Sequence, residues 1–388
     1  MSDLGCLVDF VKRQQNAETE IKKLKTEIEN LKKFGNNVEM KNDGNFVKIN
    51  RNKLNQIKKD LNEIKALAIK TSNENDMLKK YVNACDKLNE NNPRCLHWVL
   101  KVGNLKKCID FFSKVFNMKI LRHEEFNEGC DAKCNGNYSR PWSKTMIGYN
   151  DEKRNFALEL TYNYGIKGYK KGNDLRHIGI YITKLGIDNA IKLGYKVDQQ
   201  GNSEFYDIIG PDEIKYRGKL VDILPDEPFW TVALNSNDVD STKAYWVDLI
   251  GMSCTKYNKG KYLRCIWPRS HNITLEWYNM DETIDFGKSK GRIAFTTTIN
   301  NGVYIRDKYM NCMYSKYGKI HTKPVTLKTP GKSDVDVVIL EDNNGYEICF
   351  VGEIGFNDLC TTKIGDDIID WETRKSKGAD QDKGKFMK

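Results

Sequence analysis

The sequence predicts an α+β fold built from four βαβββ modules in two similar domains, preceded by a helical N-terminal extension. Two observations carry this reading: an internal repeat, and a sharp change in composition at Pro93. A third feature, residues 156–182, puts one Glu and one His inside apolar strands.

Residues 1–92 are poor in aromatics and rich in Lys, Glu and Asn. Ile21, Leu24, Ile28 and Leu31 recur at helical spacing, as do Leu54, Ile57, Leu61, Ile64 and Ala68, with an Asn-rich break between the runs. Each run is short for a coiled coil. A helical hairpin that recruits a protein partner through residues 16–70 and a partly disordered extension fit this segment equally.

From Pro93 the composition is that of a globular protein. HWVLKVGNLKKCIDFFSKVFNMKI, from His97, resembles TVALNSNDVDSTKAYWVDLIGMSC, from Thr231: a strand, a tight turn, an amphipathic helix, then a second strand. LELTYN at Leu158 echoes LEWYN at Leu275, and RHIGIYI at Arg176 echoes GRIAFTTTI at Gly291. The second half of each domain reads as a weaker copy of the first, with a helix expected near Leu185 to Leu193. The expected limits are 93–227 and 228–360 for the two domains and 361–388 for a polar tail.

Phe156, Leu158, Leu160 and Tyr162 alternate with Glu159, and Ile178, Ile180 and Ile182 alternate with His177, a period of two that predicts strands on either side of a Gly-, Tyr- and Lys-rich loop. A carboxylate and an imidazole so placed are candidate ligands for a divalent metal. Taken alone, the stretch reads more plainly as Glu159 facing solvent and His177 hydrogen-bonded in the core.

Apolar runs are strand-sized and far short of a membrane span, and the N-terminal stretch lacks an apolar signal core, which predicts a cytoplasmic protein. An organelle, mitochondrion or plastid, is the alternative address; frequent Glu and Asp argue against a transit peptide. The 11 Cys are scattered, so reduced thiols are expected, and Cys130 and Cys134 read as two free thiols of a loop, with a redox or metal pair as the alternative. The net charge of +10 is spread along the chain without a basic stripe, which argues against nucleic-acid binding.

HWVLKVGNL, FNMKILRHEE, LELTYNYG, GNDLRHIGI and DNNGYEICFV resemble glyoxalase I signatures of the vicinal oxygen chelate superfamily. LRHEEFNEGCDAKCNGNYSRPWSKTMIGY, TYNYGIKGYKKGND and TPGKSDVDVVILEDNNGYEICFVG resemble more closely the glyoxalase domain-containing protein 4 family. The likeness covers about 95–360. It implies a lactoylglutathione lyase-like activity on the glutathione hemithioacetal of an α-ketoaldehyde such as methylglyoxal, with glutathione as co-substrate and a zinc, nickel or cobalt ion. Such chemistry uses a metal to stabilise an enediolate and a carboxylate to move a proton.

Carried over by motif, the metal positions of the first domain are His97, Glu159 and His177, with Arg217 at the fourth. Those of the second are Thr231, Glu276, Arg292 and Cys349. The terminal catalytic Glu is missing from both, leaving Glu159 and Cys349 as catalytic candidates and Arg217, Glu276 and Arg292 as ligand-binding ones. In glyoxalase I, each site combines the first module of one domain with the second of the other. That rule groups His97, Glu159, Arg292 and Cys349 in one pocket and His177, Arg217, Thr231 and Glu276 in another; pairing within a domain would instead gather His97, Glu159 and His177. Two ligands and an Arg predict weak metal binding, Arg292 pairing with Glu159 and Arg217 with Glu276, and glyoxalase I-type activity weak or lost. A non-catalytic small-molecule-binding or protein-interaction module is the alternative.

Overall fold

A computed structural model describes residues 93–267, 273–297, 317–328, 333–360, 368–379 and 384–388. These belong to one compact unit, Asn89–Lys388, described here by itself. The helices expected at 21–31 and 54–68, and the partner-binding reading of 16–70, lie outside the described residues.

The first module comprises β1 (Arg94–Val102), α1 (Leu105–Phe116), β2 (Lys119–Phe126), β3 (Trp142–Gly148) and β4 (Ala157–Asn163), and a short strand β5 (Ile166–Tyr169) follows. The second comprises β6 (Leu175–Ile182), α2 (Lys184–Lys192), β7 (Lys196–Gln199), β8 (Phe205–Ile209) and β9 (Lys215–Leu220). The third has β10 (Phe229–Ser236), the short helix α3 (Val239–Lys243) running into a π-helical turn (Ala244–Leu249), β11 (Ser253–Asn258), β12 (Tyr262–Ile266) and β13 (Thr274–Asn279). The fourth shows β14 (Arg292–Thr297), β15 (Lys319–Leu327), β16 (Val335–Glu341) and β17 (Glu347–Gly352). Helices α4 (Glu353–Leu359) and α5 (Trp371–Ser376) and strand β18 (Lys385–Met387) complete the chain.

Local sequence accounts for these elements. Asn104 caps α1 by accepting from the Lys107 N–H, and Asn117 ends it in the left-handed region, where a short polar side chain is tolerated. Between the caps, Leu105, Cys108, Phe111, Phe112 and Val115 form one buried face. Each large apolar side chain so buried contributes about 2 kcal/mol.

The modules pair across the two halves. One eight-stranded sheet runs β15-β16-β17-β14-β1-β4-β3-β2, joining fourth and first modules; the other runs β11-β12-β13-β10-β6-β9-β8-β7, joining third and second. The joins are antiparallel, β1 with β14 and β10 with β6. At each join a glycine faces a tryptophan: a Cβ on Gly291 would meet Trp98 at 2.6 Å, and one on Gly179 would meet Trp230 at 2.5 Å. The indoles pack where only a hydrogen fits. Thus the hybrid arrangement is the one found.

The segment expected as a polar tail is in part docked on the body. Arg374 of α5 is buried, pairs with Glu125, donates to Ser143 Oγ at 2.9 Å and lies over the rings of Tyr162 and Tyr164. β18 adds a parallel strand to β5. Polarity alone concealed this, because a guanidinium reaches the core when a carboxylate and aromatic faces receive it.

Candidate functional site

Cross-strand register decides which charged groups meet. On β1, His97, Val99 and Lys101 alternate along one face, and Val99 stands opposite Glu159 of β4. On the other side His97 stands opposite Ala294, which stands opposite Cys349, while Arg292 stands opposite Glu347. His97, Glu159, Arg292 and Cys349 therefore belong to one sheet. His177 is in the other sheet, so the set His97, Glu159 and His177 does not assemble.

Glu159 is buried, not solvent-facing, and its Oε2 lies 3.3 Å from His97 Nε2. Thr161 Oγ1 donates to its other oxygen at 3.3 Å. Burial, in a neighbourhood that includes Lys144, Arg122 and Arg292, lowers the His97 pKa to about 3, so the ring is neutral. Its Nδ1 is buried without a hydrogen-bond partner.

Arg292 does not reach Glu159, contrary to expectation. Its Nε donates to Glu347 Oε2 at 2.8 Å and its Nη2 to the carbonyl of Ala132 at 3.2 Å. The cause is register: Glu347 is the directly opposed neighbour, whereas Glu159 is reached only across β1. Cys349 is buried, and burial pushes its thiol up to about 11, so it is protonated near neutrality.

Local turns hold these groups in place. Asp342 Oδ1 accepts from the N–H groups of Asn344 and Tyr346, and Gly345 takes φ +92°, which turns the chain sharply into β17. The loop between β2 and β3 is fixed by Asn135, which accepts from the Cys130 N–H and donates to Asn163 Oδ1. Cys130 and Cys134, expected as free thiols, are joined as a disulfide. A turn closed by the Lys133 N–H on the Cys130 carbonyl brings their Cα atoms to 5.5 Å.

Beside this row lies a cavity of about 510 Å³. Its lining includes Val99 and Lys101 of β1, Lys133 to Tyr138 in part, Lys288, Lys290, Arg292, His321, Glu341, Glu347 and Met387 of β18, and leaves out His97 and Glu159. Lysines and Arg292 outnumber the carboxylates. Glu341 and Glu347 are moreover taken up by Lys290, at 2.9 and 3.2 Å, by Lys319 and by Arg292. Among the described residues, His321, Glu341 and Glu347 are the one group whose ligand atoms lie within 4.8 Å of one another. The Lys290 ammonium already lies between its two carboxylates, so the group is an ion-pair network.

The second hybrid set is also tied up internally. Arg217 makes a bidentate pair with Asp207, at 2.7 and 2.8 Å, and not with Glu276. Glu276 is paired with an arginine, but with Arg264, Nη2 at 2.8 Å, and it accepts from Tyr278 Oη at 2.7 Å. Again the opposed residue in the antiparallel register wins, Asp207 facing Arg217 and Arg264 facing Glu276. Thr231 Oγ1 donates to the Thr274 carbonyl. His177 is a buried core residue, yet its Nδ1 has no partner, and burial together with Arg217 lowers its pKa to about 3.

Residues 94–202 match the Glyoxalase/Bleomycin resistance protein/Dioxygenase superfamily, and residues 238–359 match the glyoxalase domain-containing protein 4-like C-terminal domain. "Glyoxalase 1" of Caenorhabditis briggsae is 42% identical over 282 residues, which are 73% of this chain and 95% of the relative. "Glyoxalase domain-containing protein 4" of Rattus norvegicus is 37% identical over 268 residues, 69% of this chain and 87% of that one. The chain belongs to the glyoxalase domain-containing protein 4 family. Its fold is also that of glyoxalase I from Zea mays, at TM-score 0.55 and 22% identity over 69% of this chain and 95% of that one.

Within this glyoxalase-like chain, the residues at the metal positions do not fit a tightly held divalent ion. A metal-bound imidazole ordinarily donates its second N–H to an outer partner, and the His97 Nδ1 has none. Cys349 is a protonated thiol, and Arg292 brings a positive charge to the same row. Among the described residues, no helix is long and apolar enough to cross a membrane.

Sequence reasoning missed Glu347, Lys290, Lys101, Asp207 and Arg264. Glu347 was findable, being two positions before Cys349 on a strand and so on its face.

Proposed function

We propose that this is a glyoxalase I-like protein, resembling lactoylglutathione lyases that act on glutathione hemithioacetals, whose metal-dependent isomerisation is weak or lost and whose remaining site is the cationic cleft beside Arg292. One observation carries the reading: at the family positions other than His177, the polar groups already have an internal partner or have changed chemical type. His97 meets Glu159, Arg292 holds Glu347, and Cys349 is a buried thiol. In the second set Arg217 holds Asp207 and Arg264 holds Glu276.

The cleft favours the binding alternative. Lys101, Lys133, Lys288, Lys290 and Arg292 line it, and its two carboxylates are neutralised where they stand, which leaves an excess of positive charge for a small anion. Metal content and thioester formation measured on pure protein supplied with nickel, cobalt or zinc test the reading. Substoichiometric metal and slow turnover are expected; one tightly held ion with turnover at the rate of a lactoylglutathione lyase overturns it.

A further inference from the structure

Lys101 is a chemical group that neither the repeat nor the metal positions use. It lies on β1 four residues after His97, lines the 510 Å³ cavity, and points its Nζ at the Lys290 carbonyl, 3.1 Å away. It also lines a second, smaller cavity with Trp98, Tyr169 and Asp174. The amine is thus positioned by a backbone acceptor while flanked by open space.

Its charge environment has two sides. Glu347 of β17 and Asp174 before β6 favour the ammonium; Arg292 of β14 and Lys290 disfavour it. Burial is the largest influence, and the net result is a pKa lowered to about 8, so an appreciable share is free amine near neutrality. An amine poised in this way, on the wall of a site that attracts anions, is equipped to attack a carbonyl carbon.

We infer that Lys101 captures small anionic carbonyl compounds as a reversible Schiff base in the cleft, with Arg292 and Lys290 holding the anionic end. The amine lone pair attacks the aldehyde carbon, the carbonyl oxygen takes up a proton, and loss of that oxygen as water leaves a C=N bond. Hydrolysis returns the free lysine and the carbonyl compound, so no oxidant or reductant is consumed. This inference rests on the cleft being an anion site, as proposed above.

The test uses the full chain, glyoxylate as the probe, and cyanoborohydride to trap the imine as a carboxymethyl-lysine located by peptide mass spectrometry. Labelling of Lys101 is expected to exceed that of the average surface lysine roughly tenfold to a hundredfold at about pH 8, because so much more of it is unprotonated. Its rate is expected to rise through a midpoint near 8. Oxalate, an unreactive dianion, is expected to slow the labelling. Lys101→Arg, which keeps the charge and the fold, is expected to abolish the fast site at an unchanged melting temperature.

Uniform slow labelling of all lysines, with oxalate binding still seen by calorimetry, overturns the lysine assignment and leaves the anion cleft standing. Fast labelling of Lys101 that oxalate does not slow overturns the anion-assisted capture and, with it, the cleft reading.

Discussion

Arg292 and Glu347 stand directly opposite each other on parallel neighbours β14 and β17, with Arg292 Nε 2.8 Å from Glu347 Oε2. This pair, joined by Lys290, organises the charge on its side of the sheet. Burial pushes the Glu347 carboxyl up, but Arg292 and then Lys290 pull it further down, to about 2. The folded value lies below the unfolded one, so the pair's contribution is complete above the unfolded pKa, near 4.5, and is lost as pH falls from there toward 2. The loss should reach about 1.4 kcal/mol at roughly pH 3.5. Urea midpoints at neutral and acid pH for the wild type and Glu347→Gln measure it, and the variant should show a flatter acid limb.

Restoring the family's ligands should restore a metal. Arg292→His alone removes a repelling charge but supplies no terminal carboxylate, and Cys349→Glu alone places a carboxylate beside an arginine. The double variant is expected to gain both metal binding and thioester formation, each single variant little of either. Metal analysis and enzyme assay on all four proteins decide this; a folded, metal-free and inert double variant sinks the assignment.

Glu276 is almost fully buried and depends on the partly exposed Arg264. Arg264→Met should destabilise by about 2 kcal/mol, less than the loss of a fully buried partner because Arg264 is itself partly exposed and Tyr278 still donates to the carboxylate. Adding Glu276→Gln should recover most of that loss. Denaturant unfolding of the single and double variants tests the coupling.

Arg374 fastens α5 to the first module. Arg374→Ala removes the arginine partner of Glu125, which keeps Tyr164 and His123, and uncovers Tyr162 and Tyr164, and should cost about 2 kcal/mol. Limited proteolysis should then cleave near 371–376 first. Unaltered stability and cleavage pattern would show that the helix is not held by this residue.

Deletion of residues 1–92 should leave the remainder folded, since among the described residues both eight-stranded sheets are built from Arg94 onward. A shortened chain that melts far below the full one, or is insoluble, would place part of the core in the extension.

The sequence made the architecture readable because a repeat shows itself in order and spacing alone. The strand holding Glu159 and the helix after Thr183 follow from pattern, whereas resemblance offered the hybrid grouping beside pairing within a domain, and only the strand order separates the two. Pairing partners did not follow. Which residue an arginine meets is fixed by the lateral register of two strands, and a linear pattern records only the face: Glu347 lies one strand over from Arg292 at the same level. The buried Arg374 was hidden for another reason, since a cation in a polar segment reads as solvated until its carboxylate and aromatic neighbours are known.

The joining of β1 to β14 also governs how the chain can be made. The inner edge of the first module finds its neighbour only after Arg292 has emerged from the ribosome, so the first half cannot finish folding while the second is being synthesised. Contacts between such distant positions form slowly, and an unpaired strand edge stays open meanwhile. In a crowded polysome, the nearest strand able to fill it belongs to another nascent copy, which makes intertwined dimers the natural misassembly of this architecture.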